Sequence, residues 1–95
     1  MFMRRERIVC ADGFSMSVQA GESLYSNPRA VADSYTEVEI GFPSEKEPII
    51  MDYAEDETNP TETVYAYVPS HLIEDVIKKH GGMIGGELPP LKVQK

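Results

Sequence analysis

The sequence predicts a small α+β domain: an antiparallel sheet of about four strands, opened by an N-terminal hairpin, with one C-terminal helix packed on one face. Three features predict it. Apolar and polar residues alternate on both sides of Asp12-Gly13, two later runs alternate over residues 35–42 and 63–68, and a helical apolar stripe lies between Ser70 and His80. A length of 95 residues suits one domain. Residues 1–80 are expected to form it, and residues 81–95, rich in Gly and Pro, to form a flexible tail.

The hairpin comes first. Asp-Gly suits the positive φ angles of a tight turn, and a two-residue turn sets Val9 opposite Met16 and Ala11 opposite Phe14. Phe14, Met16 and Val18 then face inward, and Ser15, Ser17 and Gln19 outward. Residues 20–34 read as a connection, because Gly21, Ser23, Ser26, Asn27, Pro28 and Asp33 are turn formers. In the next run Thr36, Val38, Ile40 and Phe42 lie on one face, with Val38 and Ile40 in the core, while Tyr35, Glu37 and Glu39 lie on the other. Ile49, Ile50 and Met51 read as a short edge strand. Residues 52–62, DYAEDETNPTE, carry no apolar periodicity and read as an acidic loop. Val64, Ala66 and Val68 are expected inward on the last strand, with Tyr65 and Tyr67 outward.

The helix is the best-specified element. Pro69 or Ser70 opens it, Glu74 and Asp75 are expected near its positive dipole end, and Lys78, Lys79 and His80 fall in its last turn. Gly81 offers a left-handed cap. Leu72, Ile73, Val76 and Ile77 form the stripe that lies on the sheet. Val9, Phe14, Met16, Val18, Val38, Ile40, Val64, Ala66, Val68, Leu72, Val76 and Ile77 are therefore the expected core.

Charge narrows the function. Between Asp33 and Asp75 lie twelve acids and one base, Lys46, a block of 1 − 12 = −11; the rest carries 8 − 4 = +4, giving the net −7. An anionic side repels nucleic acid and anionic membranes and attracts basic protein surfaces. The short basic start, Arg4, Arg5 and Arg7, reads as a solvated strand end or an internal partner for the acidic loop. The apolar run after it is too short for a signal peptide or a membrane span. A single cysteine, Cys10, forms no internal disulfide, so a reducing compartment and a cytoplasmic location are expected.

Catalytic and metal chemistry find no pattern. Clustered carboxylates suit calcium, but the acidic loop lacks the spacing and the glycine of an EF-hand. One cysteine with His71 and His80 gives no zinc spacing. Cys10 lacks a positioned base, and no nucleophile elbow or phosphate loop is present. No enzyme activity, cofactor or metal is expected. A protein-binding surface remains, made of Glu37, Glu39, Asp52, Tyr53, Glu55, Asp56, Glu57, Glu62, Tyr65 and Tyr67. Tyrosines supply rigid amphipathic contact, and the acids select a basic partner.

Two stretches, RRERIVCADGFSMSVQA and GFPSEKEPIIMDYAEDETNPTETVYAYVP, resemble small uncharacterised proteins of bacteriophages and prophages. The resemblance covers about half the chain and assigns no residue a role. It implies a phage accessory protein in the cytoplasm of a bacterial host. Many compact acidic proteins of that setting inhibit host defence, and anti-CRISPR proteins do so by occupying nucleic-acid-binding grooves. The expected function is thus a non-enzymatic inhibitor or adaptor that binds a basic, nucleic-acid-binding protein and partly mimics a nucleic acid. The alternatives are a self-assembling structural component, a homodimer through the edge near Ile49 and Met51, and a divalent-cation-binding module.

Overall fold

The computed structural model describes residues 4–93. Five strands run in chain order: β1 Ile8–Cys10, β2 Ser15–Gln19, β3 Glu37–Gly41, β4 Val64–Pro69 and β5 Met83–Gly85. They form one antiparallel sheet in the spatial order β4-β3-β2-β1-β5. A 3-10 helix, Pro48–Tyr53, fills the β3–β4 connection, and a single α-helix, α1 at Ser70–Lys79, follows β4. The α+β architecture is the one the alternation patterns predict, with a fifth strand added by the C-terminal segment.

The hairpin departs from the two-residue turn. Its turn has three residues, 11–13, so Ile8 faces Met16 and Val9 faces Ser15. Gly13 sits at φ +95°, its N–H donates to Cys10 O at 2.9 Å, and Cys10 N–H donates to Phe14 O at 2.8 Å. Asp12 Oδ1 accepts from Phe14 N–H at 2.9 Å. A three-residue hairpin with glycine in the left-handed position is the next commonest solution after the two-residue turn. The one-residue shift exchanges the faces of β1. Ile8 and Cys10 are therefore fully buried, and Val9, expected in the core, is half-buried on the other face.

A bulge interrupts the pairing of β3 and β4. Val38 faces Val68 but Ile40 faces Tyr65, so β4 carries one extra residue within that span. Tyr67 takes it up in the left-handed region at φ +53°, and its N–H donates to Tyr25 O at 3.1 Å. Beyond a bulge the inward and outward positions exchange. Tyr65 and Val68 thus point into the core, with Tyr65 fully buried and its hydroxyl donating to Pro60 O at 2.6 Å. Val64 and Ala66, expected inside, are only half-buried.

The remaining differences follow from capping. Ile49, Ile50 and Met51 belong to the 3-10 helix, not to an edge strand: Pro48 occupies its first turn and the Glu47 carboxylate accepts from Ile49 N–H at 3.0 Å. Proline with a side-chain cap is a helix start. In α1, Glu74 and Asp75 fall in mid-helix and no acid occupies the first turn. The C-terminus forms as expected: Gly81 is left-handed at φ +89°, and Gly82 N–H donates to Ile77 O at 2.9 Å, closing a Schellman-type cap. Ile73 and Val76 are fully buried, with Leu72 and Ile77 packed beside them.

Residues 81–95 were expected as a flexible tail. Met83–Gly85 instead pairs with β1, and Tyr35 N–H donates to Pro90 O at 2.8 Å while Lys92 N–H donates to Tyr35 O at 2.7 Å. Tyr35, expected outward, is buried beneath this segment, its hydroxyl donating to Ala30 O at 2.8 Å. Residues 94–95 lie outside the described residues. Among those described, no buried side-chain nitrogen or oxygen lacks a hydrogen-bond partner.

Gly86 shows how tightly β5 is seated. It sits at φ +95°, and a Cβ there would come within 2.3 Å of Arg7 O and 2.5 Å of Ile8 Cα. Gly86→Ala should therefore lower stability by about 2 kcal/mol or more in a denaturant titration. Gly82→Ala, at φ +98° but facing open space, should cost about half as much, by backbone strain alone.

Candidate functional site

The expected binding residues divide in the structure. Asp52 is exposed at the end of the 3-10 helix, with Tyr53 half-buried beside it, and Glu55, Asp56, Glu57 and Glu62 are exposed on the following loop. These six lie near the start of β4, where Glu55 N–H donates to Val64 O at 3.0 Å. Glu37 and Glu39 are half-buried on β3, on the face away from the core. Glu39 Oε1 accepts from Tyr25 N–H at 3.3 Å. Tyr67 is 39% exposed and its ring lies 5.8 Å from that of Tyr25, over which the Arg29 guanidinium sits at 5.5 Å. Tyr65 belongs to neither group. It is core, and burial pushes its phenol pKa up.

The acidic loop is built, not merely solvated. Asp56 Oδ1 accepts from Thr58 N–H at 3.1 Å and Thr58 Oγ1–H at 2.6 Å, and its Oδ2 accepts from Asn59 Nδ2–H at 2.9 Å. These bonds from Asn59 and Thr58 hold its carboxyl below the ordinary range. Asp56 N–H donates to Thr63 Oγ1 at 3.1 Å, and Glu62 N–H donates to Asn59 O at 2.9 Å. Asp56 therefore spends its acceptors inside the loop. It shapes the surface, while Asp52, Glu55, Glu57 and Glu62 present it.

Glu47 is a different case. It was counted in the acidic block, yet it is 1% exposed. Its Oε1 accepts from His80 Nε2–H at 2.7 Å and its Oε2 from Lys79 Nζ at 3.0 Å. The opposite imidazole nitrogen, Nδ1, donates to Asp12 Oδ2 at 2.6 Å, and the ring stacks on Phe14 at 4.1 Å and 11°. Two carboxylate partners require protons on both nitrogens, so the ring is an imidazolium. Burial opposes its charge, but the bonds to Asp12 and Glu47 outweigh burial and raise its pKa above the ordinary value. Burial likewise pushes Glu47 up, and the Ile49 N–H, Lys79 and His80 bonds outweigh it, leaving Glu47 below its ordinary range. For Asp12 the Phe14 N–H bond leads, followed by His80, and its pKa is lowered.

An Asp-His-Glu set invites a catalytic reading, and its geometry opposes one. Both imidazole nitrogens are engaged, so none is left to take a proton from a substrate. Cys10 is buried, and burial followed by the charge of Asp12 raises its pKa, keeping the thiol protonated and a poor nucleophile. Among the described residues no three His, Cys, Asp or Glu side chains converge as a metal group, and no helix is long and apolar enough to cross a membrane. Position in the last turn alone makes His80 a partner for the helix dipole and gives no sign of this network. Its one sequence trace is an acid in the hairpin turn, which only the three-residue turn aims at the helix end. No protein family, curated protein or solved structure matches the chain.

The network sets a pH optimum. The lowered carboxyls contribute stability that is complete above their ordinary values, 3.8 for Asp12 and 4.5 for Glu47, and that is lost as pH falls through the folded values. His80 contributes stability that is complete below its ordinary 6.5 and is lost as pH rises through the raised folded value. Stability should therefore peak between these limits in denaturant titrations across pH. His80→Gln, which leaves a buried carboxylate short of its partner, should cost about 3 kcal/mol and flatten the alkaline decline.

Proposed function

We propose that this chain is a non-enzymatic binding protein that docks its acidic loop, Asp52 with Glu55, Glu57 and Glu62, on a basic protein surface. The supporting observation is the order of that loop. Hydrogen bonds centred on Asp56 and Thr63 order the backbone that carries the exposed Glu55, Glu57 and Glu62, and Asp52 stands at the end of the adjoining 3-10 helix. Pre-ordering of the backbone lowers the entropic cost of association, and a row of like charges steers a cationic surface onto it. A nucleic-acid-binding protein is the partner class that such a row fits, because its surface is shaped to receive spaced anionic groups. The narrower form, a phage accessory inhibitor of the anti-CRISPR kind acting in the bacterial cytoplasm, rests on the sequence resemblance. The Tyr67, Tyr25 and Glu39 group stands near the far end of β4 and is assigned no part in this contact.

A second reading is self-association. Its expected edge near Ile49 and Met51 is helical, which moves the available edge to β5, where Ile84 is 71% exposed. A monomer at millimolar concentration in sedimentation runs removes that reading.

For the leading proposal, proteins retained on the immobilised chain at low salt should release as salt rises through about 0.15–0.5 M. The triple variant Glu55→Lys, Glu57→Lys, Glu62→Lys should lose at least about tenfold in affinity with its melting temperature unchanged. Retention that is indifferent to both salt and charge reversal removes the proposal.

A further inference from the structure

Among the described residues, the three arginines before β1 have no acidic partner. Arg4, Arg5 and Arg7, with Ser17 and Phe42, line a cleft of about 260 Å³ on the side of β2 that faces away from Met16 and Val18. Arg7 Nε donates to Ser15 Oγ at 2.9 Å and its Nη2 to Ser15 O at 3.2 Å, with a further short bond to Phe42 O. Arg5 Nη1 donates to Ala20 O at 3.1 Å. Every one of these acceptors is neutral. Among the described residues no carboxylate lies within 4.0 Å of the three guanidiniums, in a chain with 16 acids. The expectation that they pair with the acidic loop therefore does not hold. Two of the three are aimed by neutral acceptors and keep their full charge.

Phe42 adds an independent observation. It sits in the left-handed region at φ +49°, a conformation unfavourable for any non-glycine residue, and its ring is nonetheless 45% exposed. Core burial does not account for an aromatic held this way at the mouth of a cationic cleft. Tyr67 shares this backbone conformation at the β4 bulge; what sets Phe42 apart is its place in the lining of the arginine cleft.

We propose that the cleft binds a small phosphate ester carrying a planar aromatic group, a nucleoside monophosphate by chemical class. The guanidinium forks match phosphate oxygens in geometry, and a phosphate monoester carries close to two negative charges at neutral pH, which suits several arginines better than a carboxylate does. The Phe42 ring offers a stacking platform for the base. The cleft volume, about 260 Å³, is below the roughly 300–1,000 Å³ of drug-sized sites, which favours one small unit over a longer chain. Net charge favours the same size, because a long polyanion brings more negative charge into the field of a chain at −7 than a single monophosphate does.

Titration of the full chain with adenosine 5′-monophosphate, adenosine and inorganic phosphate, followed by calorimetry and amide chemical shifts, tests this. The monophosphate should bind saturably with a dissociation constant below about 1 mM, and adenosine and phosphate each about tenfold more weakly. Arg4→Gln removes an exposed charge, and Phe42→Gly relieves the backbone while removing the ring. Each should weaken the monophosphate about tenfold without lowering the melting temperature. A 5′-phosphorylated trinucleotide that binds more tightly than the monophosphate identifies a strand end as the natural source of the same chemistry; equal or weaker binding identifies the free nucleotide. Absence of saturation by about 10 mM, binding that survives both substitutions, or phosphate binding as well as the monophosphate overturns the proposal.

Discussion

The imidazolium of His80 is the interaction on which the rest of the architecture depends. One ring joins three segments that no local signal connects: the hairpin turn through Asp12, the cap of the 3-10 helix through Glu47, and the end of α1 from which it projects. Glu47 in turn caps Ile49, accepts from Lys79 and receives the ring. Taking such charges out of water costs several kcal/mol per ion and is offset only when every polar atom finds a partner in good geometry. Here those partners are present. A set of this kind contributes little net stability over a well-packed apolar alternative. What it does contribute is position, since a turn one residue shorter or a helix rotated by one residue would strand a buried charge.

That requirement accounts for how much of the fold was legible in the sequence. The helix, its apolar stripe and its glycine cap were readable because each signal is local: a period of 3.6, two lysines at the end, a glycine after them. The alternation in β3 was readable for the same reason, and Val38 and Ile40 lie where it places them. The hairpin register and the faces of β4 were not, because each turns on a single residue. Asp12-Gly13 fits a two-residue or a three-residue turn, and the choice rests with Asp12 reaching His80, 68 positions away. In β4 the alternation is real on each side of Tyr67, but nothing in VYAYVP announces that one residue steps out of register. The bulged N–H finds its acceptor on Tyr25, a tertiary contact invisible to a pattern.

The same limit separates what was legible at the candidate site from what was not. Asp52, Glu55, Glu57 and Glu62 were found because consecutive acids without apolar periodicity belong on the surface. Glu47 has the same composition around it and ends buried, because Pro48 behind it begins a helix that needs a cap. Tyr65 was assigned outward and is core, a direct result of the bulge. The acidic block of the sequence divides in the structure between the exposed loop, the half-buried Glu37 and Glu39 on β3, and the buried Glu47. The basic start admits two readings from charge alone, a solvated strand end or a partner for the acidic loop, whereas the guanidiniums of Arg5 and Arg7 lie against hydroxyl and carbonyl oxygens. Net charge describes a field at long range, and within a Debye length it is the local arrangement that a ligand meets.

The seam between β1 and β5 joins opposite ends of the chain, and this orders the molecule's assembly in time. As a nascent chain emerges from the ribosome, the hairpin can form early, and β3 and β4 can add to it as they appear. The outer flank of β1 has no native neighbour until Met83–Gly85 is made, so a row of unpaired amides waits beside an apolar strand. Such a flank is a template for pairing with other molecules. A polypeptide that stopped at Gly82 would keep its helix and four strands yet carry that flank permanently, and its characteristic failure would be aggregation rather than unfolding.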